Sequence, residues 1–156
     1  MNFLEQLIAE WYSYKGYLVG TNIRFGKMKQ GGYEGEMDVI AFDPDTKTLI
    51  HIETSFDAES WEKRKLKFQK KFRTAERHYR STFKFNFEKV VKRVIVGFTK
   101  SRKTINLGDD IELVFIPDII REINEEMSKL NPLKSAIPER YPLLRTIQFS
   151  IFFGKK

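Results

Sequence analysis

The stretch GEMDVIAFDPDTKTLIHIETS, from Gly35 to Ser55, sets Glu36, Asp38 and Glu53 inside two runs that otherwise read as apolar strands. Side chains alternate along a strand, so Glu36, Asp38 and Ile40 share one face, and Met37, Val39 and Ala41 the other. On the second run His51, Glu53 and Ser55 face together. An antiparallel pairing through the turn at residues 43–47 brings Asp38 and Glu53 to neighbouring positions. Two such carboxylates repel each other and resist desolvation unless a cation lies between them. Mg²⁺ suits that place, because one or two carboxylates hold it together with waters and a substrate phosphate. The chain has two histidines, His51 and His78, and no cysteine, so a zinc site is not indicated. The alternative is a sheet face open to water on which the acids are simply solvated.

The elements that must position these acids follow from pattern. NFLEQLIAEWYSY spaces Phe3, Leu4, Leu7, Ile8 and Trp11 as a helix face with Asn2 as N-cap, and Gly16 ends it. GYLVGTNIRF reads as a strand, and KMKQGGYEG as a flexible loop that is basic at Lys27 and Lys29. Strands are expected from Glu36 to Phe42 and from Thr48 to Thr54. A long helix capped by Ser55 or Asp57 is expected to reach Thr82, with Trp61, Phe68, Phe72, Ala75 and Tyr79 as its apolar stripe. Further strands are expected at KRVIVGF and IELVFI, then a helix from Pro117 and a last one from Pro142 to Phe153. Phe83, Phe85 and Phe87 in FKFNF suit either core packing or stacking on bases. The expected fold class is α/β: one domain over residues 1–156, with a mixed sheet flanked by helices.

Bulk properties narrow the partners. At 156 residues with 41% hydrophobic and 31% charged content, a folded soluble domain is expected rather than a disordered chain. No apolar run is long enough for a membrane span, the start of the chain lacks a basic leader, and the absence of cysteine agrees with a cytoplasmic location. The net charge of +7 is concentrated: Trp61 to Lys103 carries 16 basic and 3 acidic residues, and the remainder is net acidic. Such a segment favours a polyanionic partner, nucleic acid first; a solvated helix face with no partner is the alternative. The candidate phosphate contacts are Lys27, Lys29, Lys63, Arg64, Lys67, Lys70, Lys71 and Arg73.

On these motifs the chain resembles the PD-(D/E)XK, or restriction-endonuclease-like, nuclease superfamily. It is most similar to Holliday-junction resolvases and small nuclease-like proteins with a GEID strand followed by EVK. The carriers are Glu5 on the first helix, the strand GEMDVIAF, and the strand IHIETS. The resemblance covers roughly Asn2 to Ser55 by motif, and the rest by element order. It implies that Asp38 is the central metal ligand, that Glu53 is the second, and that the Thr54 carbonyl completes the protein's share. Glu5 would reach the site from its helix, directly or through a water, and Glu36 matches the acid of the GEID form. Gln69 on the long helix is a candidate donor behind the ligands, with a solvated helix residue as the alternative. The cofactor implied is Mg²⁺ or Mn²⁺.

The departure is Ser55, which stands where the family has a lysine. That lysine orients the attacking water and offsets charge in the transition state; losing one such donor costs about 10²–10³ in rate. Either a lysine of the following helix replaces it, Lys63, Lys65 or Lys67 with Lys65 preferred, or the site is inactive and the fold serves binding. The expectations are a metal-dependent endonuclease acting on duplex or branched DNA, or a non-catalytic nucleic-acid-binding protein on the same fold. A homodimer through the aromatic segment RTIQFSIFFG is a third.

Overall fold

A computed structural model describes residues 1–97 and 104–155. The elements run α1 (Phe3–Tyr14), β1 (Leu18–Lys27), β2 (Tyr33–Asp43), β3 (Thr48–Ser55), α2 (Trp61–Glu76), α3 (Tyr79–Thr82), β4 (Lys89–Val96), β5 (Glu112–Phe115), α4 (Ile116–Ser128) and α5 (Pro142–Phe153). Among the described residues the five strands form one mixed sheet in sequence order. β1–β2 and β2–β3 are antiparallel, and β3–β4 and β4–β5 are parallel. Helices cover both faces. The expected α/β class therefore holds, and so does the element order apart from the added helical turn α3.

The two faces have different jobs. Val39, Ala41, Ile50, Ile52 and Ile95 point into a core shared with α1, α4 and α5, where Ile8, Trp11, Ile123 and Leu144 are fully buried. Ile40, Phe42 and Leu49 pack under Ala75 and Tyr79 on the other face. There α2 buries Phe68, Phe72 and Ala75 and leaves most of its cations to solvent.

Several boundaries differ from expectation, each for a local reason. α2 starts later, because Ser60 is its N-cap and accepts the Lys63 N–H at 3.3 Å. It also stops at Glu76, and Tyr79 belongs to a separate turn of helix. β1 and β2 run further than expected, so Lys27 pairs with Tyr33 inside the ladder. The glycine-rich loop closes into a turn, in which Met28 donates to the Gly32 carbonyl and Gly31 to the Met28 carbonyl. Gly31 and Gly32 take φ values of 96° and 81°, which other residues avoid. Strict alternation also fails in β2. Asn22, between the paired positions Thr21↔Val39 and Ile23↔Met37, has φ of 50°, and the hairpin bends there. Beyond the bend, Phe25 and Met37 join the cluster of Ile40 and Phe42. Phe83 and Phe87 are core residues, and the exposed Phe85 lies 4.3 Å from the Phe42 ring. The expected strand end at Phe98 lies outside the described residues.

Candidate active site

The site forms where β2 and β3 part. Their ladder ends at Val39↔Ile52. Past that pair the Asp38 carboxylate, not a main-chain carbonyl, takes the Thr54 N–H, at 3.0 Å. Asp38 is thereby turned toward the strand that carries Glu53, whose side chain is wholly buried.

A buried carboxylate survives only with partners, and Glu53 has two. On one side its Oε1 lies 2.8 Å from Nε2 of His51, which is buried two positions earlier on β3. On the other, the Lys71 ammonium donates to Oε2. The same ammonium stands 4.0 Å from Asp38 Oδ1. Lys71 belongs to α2, one residue before the buried Phe72, so its stem runs over the sheet rather than into solvent.

The charges do not balance. Burial and the Glu53 charge beside it push the Asp38 carboxyl up to about 6, although Lys71 and the Thr54 N–H pull the other way. Glu5 adds to the upward push. Burial also acts against ionised Glu53, but the His51 hydrogen bond and the Lys71 ammonium more than offset it, and Glu53 titrates below the ordinary range. Lys71 loses charge preference to burial and regains more from Glu53 and Asp38, so it is held protonated. One ammonium thus faces two carboxylates, with a third nearby.

Asp38 and Glu53, on adjacent strands, are the two carboxylates that could hold a hard divalent cation bound sparsely, as Mg²⁺ is, although both Glu53 oxygens already have partners. Among the described residues no group of three or more His, Cys, Asp or Glu side chains is arranged to hold a metal. Glu5 is committed to α1, where its Oε1 accepts from Asn2 Nδ2 at 2.7 Å and its Oε2 from the Asn2 N–H at 3.2 Å. It contributes charge to the site and closes a capping box.

Other expected site residues lie elsewhere. Lys65 is exposed and lies near the loop at Gly108, away from the carboxylates; its charge acts on Asp109. Gln69 donates to the Leu107 carbonyl at 2.7 Å and so anchors that loop. Glu36 bonds Asn22 at 3.1 Å and Arg24 at 3.3 Å on the exposed hairpin. Ser55 donates to Asp57. Arg64 is buried, its Nε 3.1 Å from Asp57 Oδ1 and its guanidinium 4.6 Å from the Trp61 ring, so it braces the segment after β3. Lys67 also pairs with Asp57, at 3.0 Å, and Arg73 with Asp109, at 2.7 Å. Lys27, Lys29, Lys63, Lys65 and Lys70 are exposed and make no ion pair among the described residues. A groove of about 260 Å³ opens beside Lys71, between Phe25 and Gly35 of the hairpin and Lys67, Lys70 and Thr74 of α2. Glu34 and Glu36 line its hairpin side.

Sequence reasoning misses two features. It treats Lys71 as a phosphate contact, yet 64, 68, 71, 72 and 75 fall at helical spacing on the sheet-facing stripe, which separates it from Lys65. It sets His51 on the Glu53 face of the strand but gives it no role beyond that of a sparse zinc candidate; the two-residue spacing to Glu53 is the signal for their pairing.

No known family model matches the chain, and no curated protein matches it. Among solved structures it is similar to the crystal structure of a protein of unknown function, AF1548, with a TM-score of 0.53. The two share 12% identity over 97% of this chain and 98% of that one. This likeness speaks to the fold alone. No helix among the described residues is long and apolar enough to cross a membrane.

Proposed function

We propose that this protein is a Mg²⁺- or Mn²⁺-dependent nuclease of the PD-(D/E)XK type that hydrolyses DNA phosphodiester bonds, with Lys71 in place of the lysine missing at Ser55. The observation that carries the reading is the Lys71 ammonium, bonded to Glu53 and 4.0 Å from Asp38, delivered from the helix that follows the strand. On this reading Lys71 supplies the positive charge that Ser55 lacks.

Asp38 and Glu53 would hold the cation, and the Thr54 carbonyl remains the expected third protein ligand. The bound cation would supply Lewis-acid polarisation of the phosphate and an activated water. Lys71 would offset charge building on the non-bridging oxygens, in the role that a fixed donor plays in a desolvated site. Its stem is long and flexible enough to leave Glu53 for a phosphate entering the groove. The exposed Lys63, Lys65 and Lys70 of α2 and Lys27 and Lys29 of the hairpin would take the flanking backbone. The test is a cleavage time course on plasmid, branched and single-stranded DNA, for wild type, Asp38→Ala and Lys71→Met. Cutting that needs divalent metal, Asp38 and Lys71 supports the reading, and cutting unchanged by either substitution removes it.

A second reading is a binding protein without catalysis. It is favoured by the ammonium standing between the carboxylates, where it neutralises part of their charge without a metal. It predicts salt-sensitive DNA binding that ignores EDTA and Asp38. The dimer expectation would use α5, where Phe149 and Phe153 are exposed, and sedimentation across concentrations tests it.

A further inference from the structure

Glu53 is held from behind by His51, which is held in turn by Tyr79, and the chemistry above uses neither. Nε2 of His51 lies 2.8 Å from Glu53 Oε1, and Nδ1 of His51 lies 2.7 Å from the Tyr79 hydroxyl. His51 is 1% exposed and Tyr79 4%, so water does not compete for either contact. The Phe72 ring meets the imidazole edge-on at 4.7 Å, and the Tyr79 ring does so at 5.7 Å, which blocks rotation of the histidine.

Donors and acceptors in this chain fit a neutral imidazole in one way. Ionised Glu53 can only accept, so the proton sits on Nε2 of His51. Nδ1 is then an acceptor, and the Tyr79 hydroxyl donates to it. Reversing the tautomer would set a lone pair of His51 against a carboxylate oxygen.

We propose that Tyr79 and His51 are positioning residues that fix which oxygen of Glu53 meets the cation: Oε1 is tied to the histidine, and Oε2 alone is presented on the side of Asp38 and Lys71. Glu53 is then a one-oxygen ligand for Mg²⁺ or Mn²⁺. This rests on the metal-dependent reading above. Groups that orient metal ligands in this way are typically worth about 10–100-fold in metal affinity. The helical layer over the sheet thus controls both oxygens, with Tyr79 of α3 acting through His51 and Lys71 of α2 acting directly.

The experiment combines side-chain ¹⁵N NMR of His51 with Mn²⁺ binding by calorimetry, on wild type, Tyr79→Phe, His51→Leu and His51→Gln. Tyr79→Phe removes one hydroxyl and keeps the ring, and a thermal melt of each variant checks folding. The expected result is a proton on Nε2 of His51 in wild type. Mn²⁺ should bind about 10-fold or more weakly in Tyr79→Phe and His51→Leu, with partial recovery in His51→Gln, which can still donate to Glu53. A proton on Nδ1 in place of Nε2 overturns the inference. So does Mn²⁺ affinity unchanged in Tyr79→Phe and His51→Leu, which leaves the metal site itself standing. Wild type that binds no Mn²⁺, whatever its tautomer, overturns the metal reading and this inference with it.

Discussion

The Lys71 ammonium lies 4.0 Å from the Asp38 carboxylate while it is bonded to Glu53. A side chain from α2 thereby closes a gap that the two strands leave open. At saturating enzyme, where DNA binding is not limiting, Lys71→Met should reduce the cleavage rate by about 10²–10³, the usual cost of one fixed donor, and Lys65→Met should leave that rate near wild type. Matched single-turnover rates of the two variants decide between the lysines.

Lys71 also shields the site from its own charge. Its folded position over Glu53 means that a divalent ion approaching Oε2 must displace it. Lys71→Met should therefore bind Mn²⁺ at least as tightly as wild type, even though it cleaves poorly. Calorimetry on the two proteins checks this. A large loss of affinity would mean that the ammonium helps to hold the carboxylates in place.

Asp38 makes stability depend on pH in an unusual direction. Its folded value of about 6 lies above the ordinary 3.8, so between these values the folded chain keeps a proton that the unfolded chain has lost. Stability then falls as pH rises through that window, by on the order of 1–3 kcal/mol. Glu53 runs the other way: its value is lowered, so its contribution is present at neutral pH and is lost as pH falls below the carboxylate range. Asp38→Asn should melt several degrees higher than wild type at about pH 7.5, and the gain should vanish near pH 4. Mg²⁺ should raise the melting temperature of wild type and not that of the variant.

The basic helix divides by partner. Lys63, Lys65 and Lys70 are without ion pairs among the described residues, while Arg64, Lys67 and Arg73 are engaged by Asp57 and Asp109. Replacing the three lysines with alanine should flatten the slope of log affinity against log salt by about 0.9 for each phosphate no longer neutralised. Arg64→Ala should instead destabilise the fold by about 1–3 kcal/mol, because it strips the buried bonds that hold the segment after β3. Fluorescence anisotropy against salt and denaturant melts separate the two effects.

Much of this is legible in the residues, and the reasons differ by element. The α/β order follows from apolar periodicity and from the turn at Asp43, whose Oδ1 accepts the Asp45 N–H at 3.0 Å. The adjacency of Asp38 and Glu53 follows from counting across that turn. Lys71 is obscured because a run rich in cations offers many candidates, and only the burial of Phe68 and Phe72 shows which ones face the sheet. Tyr79 is obscured for another reason: a continuous helix to Thr82 places it on the α2 stripe, whereas the break after Glu76 turns its hydroxyl to His51. The extent of β1 and β2 is hard to read because positive φ at Asn22 has no strong signature in sequence.

The most direct measurement is DNA cleavage by wild type, Asp38→Ala and Lys71→Met, side by side in Mg²⁺, Mn²⁺ and EDTA. The prediction is metal-dependent cutting by wild type, none by Asp38→Ala, and a rate about 10²–10³ lower for Lys71→Met. No cutting by wild type on any substrate, with salt-sensitive binding intact in EDTA, would contradict the nuclease assignment and leave a DNA-binding protein.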